Sequence, residues 1–475
     1  MQSFEGVDAK TPGSGATLDN DPNGAVGTEQ YLEWVNPVYQ VYDKTTFVPL
    51  YTAPVHGDVP WRKNNLPNCY GNAGDGVALF DHLASRWVIG RRQSTDGYFY
   101  CIAVSSTDDF TAGGFAWYAY ELSLNSLLGK NAAGHFYFPD YPKIASWPDA
   151  YYVAIDLEDP DQGYREVGVL VCAFDRNNML NGNVAQTPQC FRYPNPVTGA
   201  VFLAHSLLPA DIDGVNPPPV GSSEYFISIQ NPKFNATGTL NLWQFHVDWT
   251  TPSNSTFTGP VSINSGAYIP GCYRSANPSN TICVPEPTTS ATHNFIDSVG
   301  DRVMHRFAYR HFLGTAPYES YLVTQTVQVN STPALSQTGI RWHELQFVGG
   351  ALKIVHSGLL SQSDSNYRFM PSVAQDKAAN MAVGYSVSGT TLHPSIRAAY
   401  VSLPALSAAQ EFDISDGAAD EENSYHWGDY TSLTVDPVDD CTFWFVDEYY
   451  TINQTATVTP VWQTRIANFK IPNCK

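Results

Sequence analysis

An aspartate recurs along this chain where a short alternating run of apolar residues begins. Asp75, Asp140, Asp211 (or Asp213 two residues on), Asp301 and Asp429 hold this place, and Asp21 precedes a further candidate run. Carboxylates brought to one axis repel unless a cation neutralises them, and hard oxygen donors suit Ca²⁺. The spacing therefore predicts an axial metal site, Ca²⁺ being the expected ion, at Asp75, Asp140, Asp211, Asp301 and Asp429. The competing expectation is that each aspartate caps a backbone turn. Met370 stands where a sixth aspartate would be.

A second group could do acid–base chemistry. Arg302, His305 and Tyr309 lie close together, with Arg306, Arg310 and His311 interleaved. An Arg/His/Tyr pocket could bind a sugar carboxylate and supply a general acid or base. Arg302, His305 and Tyr309 are thus the candidate catalytic residues. Also weighed are His426 beside Asp429, Arg341 and His343, and the acidic pairs Asp447-Glu448 and Asp420-Glu421-Glu422. No P-loop, dinucleotide fingerprint or nucleophile elbow occurs.

The elements that must position these residues are strands. The aspartates begin units spaced 59 to 90 residues apart, each leading into an aromatic-rich run such as Arg86-Trp-Val-Ile-Gly90 or Thr442-Phe-Trp-Phe-Val446. Later strands of the units read clearly, as in Leu240–Val247, Ile340–Gln346 and Thr464–Ile471. A repeat of this size with four strands is what a propeller blade requires. At the N-terminus, Gln30–Val35, Val38–Tyr42 and Phe47–Tyr51 supply strands for one more unit. The fold class expected is all-β, a single propeller of seven four-stranded antiparallel blades over residues 24–475. Six blades, with N-terminal strands completing the last, is the alternative, and a two-sheet sandwich array a third. Residues 1–23, rich in Gly, Asp, Thr and Pro from residue 6 on, read as a flexible lead-in behind an added Met.

Composition narrows the function. The 25 Lys and Arg against 45 Asp and Glu give a formal charge of −20, which argues against nucleic acid as a partner. No apolar run is long enough to span a membrane. Eight cysteines without a C-x-x-C pair point to disulfides, the closest in sequence being Cys172 with Cys190 and Cys272 with Cys283. Sequons at Asn235, Asn254, Asn330 and Asn453 add to an expectation of a secreted glycoprotein.

The segments 138–152, 240–249, 370–377 and 426–437 (Phe138-Pro-Asp-Tyr-Pro, Leu240-Asn-Leu-Trp, Met370-Pro-Ser-Val and His426-Trp-Gly-Asp-Tyr) resemble blade motifs of a family of secreted bacterial proteins. These proteins are loosely grouped with sialidase-like propellers, and the resemblance runs from about Gly24 to Cys474. It implies the propeller fold and no particular activity. The chain departs from true sialidases: Ser94-Thr-Asp-Gly97 is only a fragment of their Ser-x-Asp-x-Gly-x-Thr-Trp turn, and their Arg-Ile-Pro is missing. Sialidase activity is therefore not expected.

Three functions follow. The first is a secreted ligand-binding or surface-interaction module, glycan-directed, whose partner is an extracellular glycan or surface protein. The second is a glycan-active enzyme, lyase or hydrolase, on acidic sugars. The third is an extracellular scaffold.

Overall fold

The computed structural model describes residues 1–11, 20–71, 74–95, 97–194, 204–230, 238–272, 281–287, 295–330, 337–421, 425–451 and 462–475. Nearly all of its regular structure is β, in four-stranded antiparallel units. The first runs Asn23–Val26, Gln30–Val35, Val38–Asp43 and Val55–His56; the second opens with Val77–Asp81 and ends with Trp117–Ser123. The third runs from Phe138–Ser146 to Gln189–Pro194, the fourth from Leu208–Ile212 to Thr256–Asn264, and the fifth from Val303–Phe312 to Ala351–Leu360. The sixth runs from Tyr367–Gln375 to Gln410–Ser415. The last combines Ser432–Val435, Thr442–Tyr450 and Trp462–Lys470 with Gln2–Asp8.

The first strands neighbour one another in chain order, and Ser432–Val435 returns to Asn23–Val26, so they form a ring. Their sequences explain this place. Val77-Ala-Leu-Phe-Asp81 and Ser432-Leu-Thr-Val435 are buried at every position, as strands covered on both faces must be. The outermost Thr256–Asn264 is mostly exposed. Between sheets lie large rings, Trp34, Trp87, Trp147 and Trp243 among them. Gly76 is dictated by this packing: a Cβ there would stand 1.9 Å from Trp34.

Polar side chains stitch neighbouring inner strands where no ladder runs. Asn23 Nδ2 donates to Gly76 O at 2.7 Å and its Oδ1 accepts from Ala78 N at 2.9 Å. Ser372 Oγ accepts from Leu433 N at 2.9 Å. Buried backbone groups are thereby satisfied.

Two expectations change. The lead-in over 1–23 contains a strand: Gln2–Asp8 pairs with Trp462–Lys470, so one sheet joins both ends of the chain. Phe47–Tyr51 is not a strand; the first unit is completed by Val55–His56 instead. All eight cysteines are paired, Cys172 with Cys190 and Cys272 with Cys283 as spacing suggested, and also Cys69 with Cys101 and Cys441 with Cys474. No helix is long and apolar enough to cross a membrane among the described residues. Of the sequons, Asn254 and Asn330 are exposed; Asn235 and Asn453 lie outside the described residues.

Candidate functional site

The chain bends in the same way as it enters most inner strands. Asp21, Asp75, Tyr141, Ser206 and Met370 all have left-handed φ, between 44° and 54°. Asp21, Asp75 and Ser206 sit two residues before their strands, and Tyr141 and Met370 at bulges within theirs. These bends carry adjacent side chains to one mouth of the ring, where a cavity of about 290 Å³ opens.

Carboxylates dominate its lining: Asp140, Asp156, Glu158, Asp297, Asp301 and Asp429, with Tyr141, Arg302 and His426. Asp156 and Glu158 share one face of the strand Tyr151–Asp159 by its period of two. Glu166 stands directly across from Glu158 on the next strand. Asp21 and Asp75 border the same group. Asp21 Oδ1 accepts from Asp429 N at 2.8 Å, and Asp75 shares Arg92 with Asp140, whose Oδ1 is 3.4 Å from Arg92 Nε.

The cations here are committed. Arg302 Nε donates to Asp301 Oδ1 at 2.9 Å, and its guanidinium lies 4.6 Å over the Tyr141 ring. Lys143, buried in the floor, sits 3.3 Å from the Tyr141 centroid and 3.9 Å from that of Tyr430. His205 bridges Glu166 and Asp301. His426 Nε2 lies 3.1 Å from Asp429 Oδ1.

These surroundings separate the proton affinities of the acids. Burial, then the neighbouring Asp75, pushes Asp140 up to about 7 against the pull of Arg92. Burial, with Asp140, Asp156 and Glu166 nearby, raises Glu158 to about 8. Asp429 is different: burial opposes its charge, but the hydrogen bond and charge of His426, with Arg302 and Lys143, hold it below the usual range. Arg302 and His205 overcome burial in the same way at Asp301. Burial lowers Lys143 to about 8, opposed by Asp429, Asp75 and Asp21.

The sequence candidates are distributed unevenly. Asp75, Asp140, Asp301 and Asp429 gather at this mouth. Asp211 does not: Ser206 holds the equivalent place, and Asp211 lies at the far end of its strand, Leu208–Ile212. There it receives Arg306 Nη2 at 2.9 Å, while Asp213 receives Arg306 Nη1 at 2.8 Å. Met370, the exception in sequence, is buried in an apolar cluster with Phe369 and Trp427.

The proposed catalytic trio does not converge, because it is strung along one inner strand that follows the axis. Arg302 lines the cavity. His305 is buried beneath the floor beside Tyr430, its ring centroid 6.1 Å away; burial and the charges of Lys143 and Arg306 keep it neutral. Tyr309 is packed 4.8 Å from Trp147, its hydroxyl donating to Glu319 at 3.0 Å. Farther on, Arg310 pairs with Asp440 at 2.7 and 2.8 Å.

The other pairs weighed are also enclosed. His343 is buried, and Arg341 turns to the carbonyls of Ser265 and Gly266. Asp447 accepts from Ser386 and Glu448 from Gly428 N, both far from solvent. Asp420 pairs with His393, Glu421 is buried, and Glu422 lies outside the described residues.

Sequence reasoning passed over Glu158, Asp156, Glu166, His205, Tyr141, Lys143, Arg92 and Tyr430. Tyr141 and Tyr430 directly follow the chosen aspartates, and Asp156-x-Glu158 is an acidic alternation in an otherwise apolar strand, so a signal for those was present. Two groups have the donor types and closeness a metal ion uses, Asp21–His426–Asp429 and Asp156–Glu166–His205, with atoms within 4.8 Å of one another. In each, a carboxylate already faces an imidazole of the protein.

No protein-family model and no curated protein matches the chain. Among solved structures, it is similar to an α-L-arabinanase of Penicillium chrysogenum (8% identity, 98% of this chain and 99% of that one, TM-score 0.39). It is also similar to an α-L-arabinofuranosidase from Fusarium graminearum (10% identity, 84% and 93%, TM-score 0.39). A third is a Hadza microbial sialidase (11% identity, 82% and 67%, TM-score 0.40). Likeness at this level carries no argument about what this chain does.

Proposed function

We propose that the chain is a seven-bladed propeller whose acid-lined mouth hydrolyses glycosidic bonds. The observation that carries this reading is the separation of proton affinities across one open cavity. Asp140 retains its proton up to about pH 7, and Asp429 loses its own below the ordinary carboxylate range. Glycoside hydrolysis needs such a pair: one carboxylic acid to protonate the leaving oxygen, one carboxylate to activate water or attack the sugar carbon. Asp140 is assigned as the general acid and Asp429 as the base or nucleophile, with His426 holding Asp429 ionised. A polyhydroxylated ligand suits a wall so rich in hydrogen-bond acceptors. The four disulfides fit an extracytoplasmic compartment.

This reading takes the enzyme alternative over a purely binding module. It replaces Arg302, His305 and Tyr309 as the catalytic set, and the cations that partly offset the acid ring are Arg92, Lys143 and Arg302. The test is a screen of oligosaccharides of neutral, basic and acidic sugars for new reducing ends, with Asp429→Asn alongside. Release by the native protein and none by the variant supports hydrolysis. Binding without release from any sugar returns the protein to the binding-module reading.

A further inference from the structure

A second cavity, of about 470 Å³, opens on the fifth four-stranded unit and shares no lining residue with the mouth. That volume lies within the range of small-molecule sites, about 300–1,000 Å³. One face of the sheet is its floor. Cross-strand partners share a face, and the register sets Gln325, Arg341 and Leu359 in one row, with Val327 two residues beyond Gln325 on the same side. The facing wall is the segment 267–269, pinned to the sheet where Gln328 N donates to Ile269 O at 2.8 Å. Ile269, Val327, Val329 and Leu359 make the lining largely aliphatic, and among the described residues no Asp or Glu lines it.

Arg341 is the cation of this cavity, and no carboxylate answers it among the described residues. Elsewhere in this acidic protein arginines meet carboxylates, as Arg306 meets Asp211 and Asp213, and Arg368 meets Asp364 and Glu411. Arg341 turns only to backbone and ring. Its Nη2 donates to the carbonyls of Ser265 and Gly266, the latter at 3.0 Å, and its guanidinium lies 5.2 Å over the Tyr268 ring. Its Nη1 has no acceptor. Gln325 is a second, independent observation. This cross-strand neighbour of Arg341, on the face that floors the cavity, is only 2% exposed, and neither its Oε1 nor its Nε2 has a partner. The hydroxyl of Tyr268, in the facing wall, also has none. Buried polar atoms are rarely left unpaired, so three such side chains beside one open cavity point to a polar group that the cavity receives.

We propose that this cavity binds a small carboxylate with an aliphatic body, of the fatty-acid type. The carboxylate lies on Arg341, and the tail lies against Val327, Val329 and Leu359. A guanidinium with no acid of its own supplies the charge, and the aliphatic lining supplies the apolar contact. The site is independent of the glycan reading of the mouth.

The test is calorimetric titration with decanoate, decanol and acetate, on the native protein, Arg341→Met and Leu359→Glu. Decanoate is expected to bind at least about tenfold more tightly than decanol, in line with one charge-assisted contact, and acetate without a tail to bind far more weakly than either. Arg341→Met keeps the length of the stem and is expected to erase the advantage of decanoate while leaving decanol unchanged. Leu359→Glu sits on the exposed outermost strand and sets a like charge in the wall, so it is expected to fold and to weaken decanoate at least about tenfold. If Arg341→Met lowers the melting temperature, Leu359→Glu decides alone. Decanol binding as tightly as decanoate overturns the proposal. So does an advantage of decanoate that survives a well-folded Arg341→Met, decanoate binding unmoved by Leu359→Glu, or no binding of decanoate at millimolar concentration.

Discussion

Two collections of aspartate lie on the same axis of this protein and have opposite fates. Midway along it, Asp211 and Asp213 close around Arg306, whose guanidinium also reaches the carbonyls of Asp211 and Leu433. The void beside this group is only about 10 Å³, no more than one water could use. At the mouth, Asp140, Asp156, Glu158, Asp297, Asp301 and Asp429 outnumber the Arg and Lys side chains they face, Arg92, Lys143 and Arg302, and border a cavity of about 290 Å³. The same residue type is structural where its charge is matched and enclosed, and available for chemistry where it is unmatched and open. The difference also explains why spacing alone grouped Asp211 with the mouth: nothing in the local sequence tells which end of a short strand an aspartate will occupy.

The comparison breaks first at the mouth. Asp140→Asn and Asp429→Asn are each expected to lower the rate of sugar release by about 10²–10⁴-fold, the range for loss of a general acid or base, with the unfolding midpoint little changed. Rates within tenfold of native for either variant would remove that residue from the mechanism. Arg306→Met is expected to act in the opposite manner. It leaves Asp211 and Asp213 buried without their cation, and urea unfolding should register a loss of about 3–5 kcal/mol. A stability unchanged by Arg306→Met would mean that the axial pair is not the structural half of the contrast.

A smaller effect concerns pH. The proposed hydrolysis requires Asp140 protonated and Asp429 ionised. Activity should therefore decline as pH rises through about 7, where Asp140 loses its proton, and decline again only below the ordinary carboxylate value of 3.8, where Asp429 gains one. A pH–rate profile flat from 5 to 9 would contradict the assignment of Asp140. The smallest effect is expected from metal removal. Because Arg92, Lys143 and Arg302 already engage the acids nearest them, dialysis against EDTA should leave binding and melting temperature unchanged. A loss restored by Ca²⁺ would favour the axial ion that the aspartate spacing first suggested.

Much of the fold was legible because its signal is periodic. Inner strands such as Val77–Asp81 announce themselves by a short apolar run, and the strands that follow by aromatic-rich runs such as that in Thr442–Tyr450. The strand Gln2–Asp8 was not legible, since Gln2-Ser-Phe-Glu-Gly has no alternation of its own and becomes a strand only by pairing with Trp462–Lys470. Of the site, Asp140, Asp301 and Asp429 could be named because each begins a repeat, and Arg302 because it stands in a cluster of Arg, His and Tyr. Glu158, Glu166 and His205 could not be assembled from sequence, since the first two meet only through the register of a strand pair and His205 comes from a connection beyond the sheet. The trio Arg302, His305 and Tyr309 does not gather, for a related reason. Closeness along a strand that follows the axis spreads side chains over its length instead of gathering them.

The central claim is that the mouth holds two carboxyls of opposite proton affinity, and a titration tests it most directly. Aspartate labelled with ¹³C at Cγ, followed by NMR against pH in the native protein, Asp140→Asn and Asp429→Asn, isolates each signal by difference. The account predicts that the signal lost in Asp140→Asn titrates near 7 and the one lost in Asp429→Asn below 3.8. Two signals titrating together near the ordinary value for aspartate would contradict it.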